Sequence, residues 1–109
     1  MPKQGLPKWY VYTKEKHKNY IAALEQLGEA VRKEGPLDEK TSQLIQLAAA
    51  AAIRSEGSVH SHVRRAIKAG ASQDEVFHAI ILLTSTIGFP STSAALSWAH
   101  ETMRAKEEG

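Results

Sequence analysis

Residues 76–83 read Val-Phe-His-Ala-Ile-Ile-Leu-Leu, directly behind Ser72-Gln73-Asp74-Glu75. Ser72 and Glu75 have the spacing of a capping box, in which the serine side chain bonds the third helical amide and the glutamate returns to the cap amide. A helix that starts there and runs through the apolar stretch is hydrophobic on nearly every side, so it needs cover from all directions. A chain of 109 residues has few other elements to provide that cover. The expectation is therefore an all-α, compact bundle that self-associates and buries part of this helix against another copy.

The remaining helices follow from spacing and punctuation. After an arm over residues 1–12, helix one is expected over 13–34, with Ile21, Leu24, Leu27 and Val31 on one face and Gly35-Pro36 as its stop. Asp38 caps a second helix that reaches Arg54, with Glu39 in its first turn and Leu44, Ile45, Leu47, Ala48 and Ile53 on its buried side. Its alanine run, residues 48–52, lets other backbones approach closely and reads as a packing centre. A short third helix carries Val59, Val63, Ala66 and Ile67, with His62 on the same face and Gly70 as the residue that ends it. The capped fourth helix is followed by the break at Gly88-Phe89-Pro90. A fifth helix begins at Pro90 or Ser91 and turns Ala95, Trp98, Ala99 and Met103 inward. About five helices and no strand pattern give an all-α fold in a single domain, with residues 37–106 as its core.

Composition narrows the function classes. The chain has no cysteine, which removes disulfides, thiolate metal sites and cysteine nucleophiles. The segment MPKQGLPKWYVY lacks the apolar core of a signal peptide, no run is long enough to span a membrane, and a cytoplasmic location is expected. Fourteen Lys plus Arg stand against twelve Asp plus Glu. So small a surplus argues against a nucleic-acid partner, although Lys3, Lys8, Lys14, Lys16 and Lys18 interleave with Trp9, Tyr10, Tyr12 and Tyr20. Those aromatics are expected to dock on a neighbour while the lysines stay solvated.

The stretch RSEGSVHSH, residues 54–62, holds the candidate chemistry. In a helix begun near Ser55, the side chains of Ser55, Ser58 and His62 project from one stripe. Unpaired amides and the positive dipole end of that first turn would stabilise a developing anion, yet they do little to activate a serine hydroxyl. Ser55 as an N-cap and Ser58 as a small polar filler is the plainer reading. His62, a neutral imidazole on an apolar face, is either a hydrogen-bonded core histidine or a general acid or base tuned by burial. His60 and His62 are two apart and point to different sides of a helix, so no metal site is expected. His78 is expected to be buried and able to approach His62, and His17 and His100 to lie on the surface.

Between residues 37 and 99 the sequence LDEKTSQLIQLAAAAAIRSEGSVHSHVRRAIKAGASQDEVFHAIILL, followed by IGFPSTSAALSWA, resembles the carboxymuconolactone decarboxylase and alkylhydroperoxidase-D family. The likeness is carried by the LDEKT helix start, the small-residue helix, the histidine before VRRAIKAG, the capped helix, and Gly88 and Pro90. It implies a homo-oligomer, commonly a trimer or hexamer, in keeping with the cover that residues 76–83 require. In the peroxidase branch this region holds Cys-x-x-Cys-x-x-x-His, with a glutamate twelve residues before the first cysteine. Here Ser55 and Ser58 replace the cysteines, Gln43 replaces the glutamate, and His62 remains. A serine cannot cycle through sulfenic acid and disulfide, so peroxide reduction by that mechanism is excluded.

The decarboxylase branch is similar in lacking the cysteine pair while keeping the histidine. Loss of carbon dioxide from an unsaturated lactone acid leaves a delocalised anion that needs electrostatic stabilisation and a proton donor, with no covalent nucleophile. The resemblance thus implies a small organic acid or lactone as ligand, His62 as the acid or base, and no cofactor. Amides near Ser55 to Ser58 would face the anion, and Arg54, Arg64 or Arg65, with His78 nearby, would hold a substrate carboxylate. Two other readings are a non-catalytic oligomeric relative, in which Gln43, Ser55 and Ser58 have become structural, and a peroxidase that borrows a thiol.

Overall fold

Seven α-helical segments appear in the computed structural model, which describes residues 7–108 and, up to residue 105, their side chains. They are α1 (Lys8–Lys16), α2 (Lys18–Arg32), α3 (Glu39–Ala52), α4 (Glu56–Lys68), α5 (Gln73–Ile81), α6 (Thr84–Ile87) and α7 (Phe89–Glu108). No strand occurs among the described residues. The chain divides into two compact units, residues 1–37 and 38–109. None of the described helices is long and apolar enough to cross a membrane.

In the first unit the expected arm and helix one are redistributed. Residues 1–6 lie outside the described residues, but helix begins at Lys8, and the chain leaves the helical region at His17 (φ −132°, ψ 65°). No glycine or proline stands there. What favours the break is the pairing of α1 with α2: the Tyr10 hydroxyl donates to Glu25, and Lys14 Nζ lies 3.0 Å from the same carboxylate. Tertiary pairing here overrides continuous helix propensity. Trp9 and Tyr12 stack on each other with centroids 5.3 Å apart and stay exposed. The apolar face read from spacing is mostly open in the single chain: Ile21 is buried, while Leu24, Leu27 and Val31 are 49%, 58% and 59% exposed.

The second unit assembles α3 against α4, α5 and α7. The alanine run serves as expected on the two residues that face inward, Ala50 and Ala51, which lie in the core with Leu47, Val59, Val63, Ala66, Val76 and Ile80. Ala48 is half-buried, Ile45 and Ile53 face outward, and Ala49 and Ala52 are also exposed. From α7, Ala95, Ala99 and Met103 enter the core and Trp98 packs against it, the stripe read from spacing. α5 starts at the capping box of Ser72 and Glu75. It buries Val76 and Ile80, then ends at Ile81, which with Leu82 is at least half exposed.

Two tight reversals join these helices. α4 ends in a Schellman motif: the Ala71 amide donates to the Ala66 carbonyl, the Gly70 amide to Ile67, and Gly70 adopts φ 104°. α3 ends in the same pattern, with the Ser55 amide donating to Ala50 and the Arg54 amide to Ala51. The left-handed position there belongs to Arg54 (φ 58°), a residue with a Cβ, so the turn carries strain that glycine would avoid.

The starts of α3 and α5 both depend on carboxylates. Hydrogen bonds from Thr41, its hydroxyl first and its amide second, hold the Asp38 carboxyl below its ordinary value near 3.8. The Ser72 amide, then Lys40, lowers Glu75 from near 4.5. Groups with depressed folded values stabilise the fold above their unfolded values, and that contribution is lost as pH falls through the folded ones. Urea midpoints are therefore expected to be level near neutrality and to drop below about pH 4. Asp38→Asn combined with Glu75→Gln is expected to flatten that drop.

Candidate functional site

Gln43 sits one turn into α3, with Leu47 another turn along the same face, and is fully buried at 1% exposure. Its side chain is engaged at both ends. Gln43 Nε2 donates to Glu39 Oε2 at 2.8 Å, and Gln43 Oε1 lies 2.8 Å from His62 Nδ1. An amide oxygen accepts only, so His62 donates from Nδ1. This places the half-buried His62 of α4 against α3, joined to Gln43 across nineteen positions of sequence. Resemblance pointed to Gln43 as a replaced relay position, and the geometry brings it to the one retained histidine. Glu39, read from sequence as a dipole-stabilising residue of the first turn, is part of the same chain of contacts. Its separation of four from Gln43 on a helix was the signal that could have found it.

The serines behave differently from one another. Ser55 occupies the N-cap of α4 in extended conformation, as the plain reading expected, yet its side chain makes no cap hydrogen bond. The helix starts only at Glu56, so Ser55 lies just outside the stripe that Ser58 and His62 share at a spacing of four. Both serines are half-buried.

The arginines separate as well. The Arg54 guanidinium donates to Ser91 Oγ at 2.6 Å, tying the α3–α4 turn to the start of α7. Arg65 is exposed. Arg64 is half-buried, and burial, followed by repulsion from Arg65, lowers its pKa. It remains the arginine of the three whose charge is partly withdrawn from water. The expectation that His78 is buried is corrected: it is exposed, because α5 turns Val76 and Ile80 inward and a residue two positions from each points away. His17 and His100 are exposed as expected, His100 lying against Phe77.

His60 diverges from His62, as the spacing of two required. Its Nδ1 meets Thr102 Oγ1 on α7, and because that hydroxyl donates to the Trp98 carbonyl at 2.9 Å, the ring must donate at Nδ1. His60 Nε2 lies 3.2 Å from Glu56 and 3.7 Å from Glu101. Among the described residues these three have the spacing to surround a cation, their donor atoms lying within 4.8 Å of one another. Both carboxylates are more than half exposed, as ordinary surface acids are. In the first unit, residues 15–20 line a shallow surface concavity around the His17 break.

Comparison with known proteins finds relatives of this chain and its fold. A carboxymuconolactone decarboxylase family protein from Legionella pneumophila, solved in its apo form, is 25% identical, with a TM-score of 0.75 over 89% of this chain and 86% of that one. A Thermotoga maritima protein is similar in fold, with a TM-score of 0.69 and 24% identity over 94% of this chain and 100% of that one. No curated protein matches the chain. The family model described as carboxymuconolactone decarboxylase family matches residues 19–101, which takes in α2 as well as the helices around Gln43 and His62. With that match over most of its length and no cysteine in its sequence, the chain belongs to the carboxymuconolactone decarboxylase family as a member without the redox cysteine pair.

Proposed function

We propose that this protein binds a small organic acid or lactone and decarboxylates it, or carries out a related proton transfer, with His62 as general acid or base. The observation that carries the reading is the 2.8 Å contact between His62 Nδ1 and the buried Gln43 amide oxygen. That bond persists whether the ring is neutral or cationic, because Nδ1 bears hydrogen in both states. Proton gain and loss at Nε2 would leave the ring anchored, which is what a positioned acid or base requires. In the reaction, the bond from carbon to the substrate carboxylate breaks and its electron pair spreads into the unsaturated lactone. A proton from His62 then ends the anion at carbon. Amides in the first turn of α4 would face the developing charge, and Arg64 is the favoured partner for a substrate carboxylate.

The test is direct. Purified protein is mixed with carboxymuconolactone and enol-lactone formation is followed by absorbance. Turnover supports the reading, and its absence overturns decarboxylation of that substrate. The second reading, a non-catalytic relative, is favoured by the saturation of Gln43 at both ends, which is also what a purely structural network looks like.

The same reading includes a homo-oligomer, a trimer or hexamer. It is supported by the apolar stripe of Leu24, Leu27 and Val31 on α2 and, separately, by Ile81 and Leu82 at the end of α5, all about half exposed or more. Soluble monomers rarely leave such faces in water. Light scattering is expected to return three or six times the 12.0 kDa of one chain, and a value of 12.0 kDa would refute the assembly.

A further inference from the structure

We propose that Glu39 is a positioning residue: acting through Gln43, it sets which nitrogen of His62 carries the hydrogen. Two hydrogen bonds connect these residues: Gln43 Nε2 donates to Glu39 Oε2 and His62 Nδ1 donates to Gln43 Oε1, each at 2.8 Å. A primary amide can be turned end for end at little cost in shape, so a buried glutamine by itself does not dictate a histidine tautomer. Facing His62 with its oxygen, it takes a hydrogen from Nδ1. Facing it with its NH2 group, it needs a lone pair there, and the ring's hydrogen would move to Nε2.

Glu39 removes this ambiguity. As a carboxylate it offers acceptors only, so the amide must turn its NH2 group toward Glu39 and its oxygen toward His62. The helix enforces the contact, because residues 39 and 43 are one turn apart on α3. The first-turn position also suits a negative side chain, since free amides and the dipole favour it there. Gln43 at 1% exposure has no bulk water to replace either partner, so the directionality passes through it. The neutral ring is thereby fixed with hydrogen on Nδ1 and its lone pair on Nε2.

The tautomer assignment stands on geometry alone. Its catalytic consequence rests on the reading of His62 as a proton-transfer group: the basic nitrogen of the neutral ring is Nε2 in the predominant tautomer.

The experiment uses the full chain, labelled with 15N, and long-range 1H–15N correlation of the His62 ring at a pH where it is neutral. Hydrogen on Nδ1 is expected in more than about nine molecules in ten, the ratio that about 1.4 kcal/mol of preference would give. In Glu39→Gln, which keeps size and offers either a donor or an acceptor, a several-fold rise of the Nε2-protonated form is expected. Glu39→Ala is expected to do the same, and an unchanged far-ultraviolet circular dichroism spectrum confirms that the exposed first-turn residue has not cost the fold. An Nε2-protonated ring in the wild type, or the same tautomer ratio in Glu39→Gln, would overturn the proposal. The tautomer shift without turnover of carboxymuconolactone would leave this assignment standing and sink only the proposed reaction.

Discussion

His62→Ala is expected to lower turnover of carboxymuconolactone by at least about a hundredfold while the protein stays folded. A positioned general acid or base contributes roughly 10²- to 10⁴-fold, and no other imidazole can substitute. His60 is turned to Thr102 and His78 is exposed on α5. The substitution also leaves the Gln43 amide oxygen without its donor in a buried setting, which costs about 1–3 kcal/mol. Activity and stability therefore need separate readouts: kcat from initial rates and folding free energy from urea titration. His62→Gln divides the two effects, because a glutamine side chain can still donate to Gln43 yet cannot transfer a proton near neutrality. Its expected result is near-normal stability with the same loss of kcat. Retention of more than a tenth of wild-type kcat in His62→Ala would remove the histidine from the mechanism.

What could be read from sequence was whatever depends on a few adjacent residues. Ser72 with Glu75, Asp38 as the cap of α3, and Gly70 after α4 each solve a local backbone problem, and each stands where local chemistry places it. The inward stripe of α7 follows from its period in the same way. The break at His17 and the left-handed Arg54 were hidden because the residues there are not the ones such backbone favours. Both are imposed by contacts made elsewhere, Glu25 with Tyr10 and Lys14 in the first case, and the immediate start of α4 with the bond to Ser91 in the second. His78 misled because an all-apolar run conceals which side faces the core until the neighbours are known. The site shows the same division. Glu39 and Gln43 are one turn apart and could be paired from spacing, whereas the meeting of Gln43 with His62 needs the packing of α3 on α4.

Leu47→Ala is expected to destabilise the second unit by about 2–5 kcal/mol, the range for removing a large aliphatic side chain from a core that cannot collapse around the void. Leu47 is entirely buried and shares its core cluster with Ala50, Ala51, Val59 and Val63, short side chains with little reach to fill the space. For a domain with total stability of about 5–15 kcal/mol this is a large share, and a lowered Tm and urea midpoint should both register it. The effect should also extend to chemistry. Leu47 lies one turn beyond Gln43 on the same face of α3, so a cavity there loosens the wall against which the amide is held. Leu47→Met keeps most of the volume and should cost less than about 1.5 kcal/mol. If Leu47→Ala loses less than about 1 kcal/mol, the short alanine and valine side chains around it can close the gap. The packing of α3 on α4 would then tolerate rearrangement without disturbing the line from Glu39 to His62.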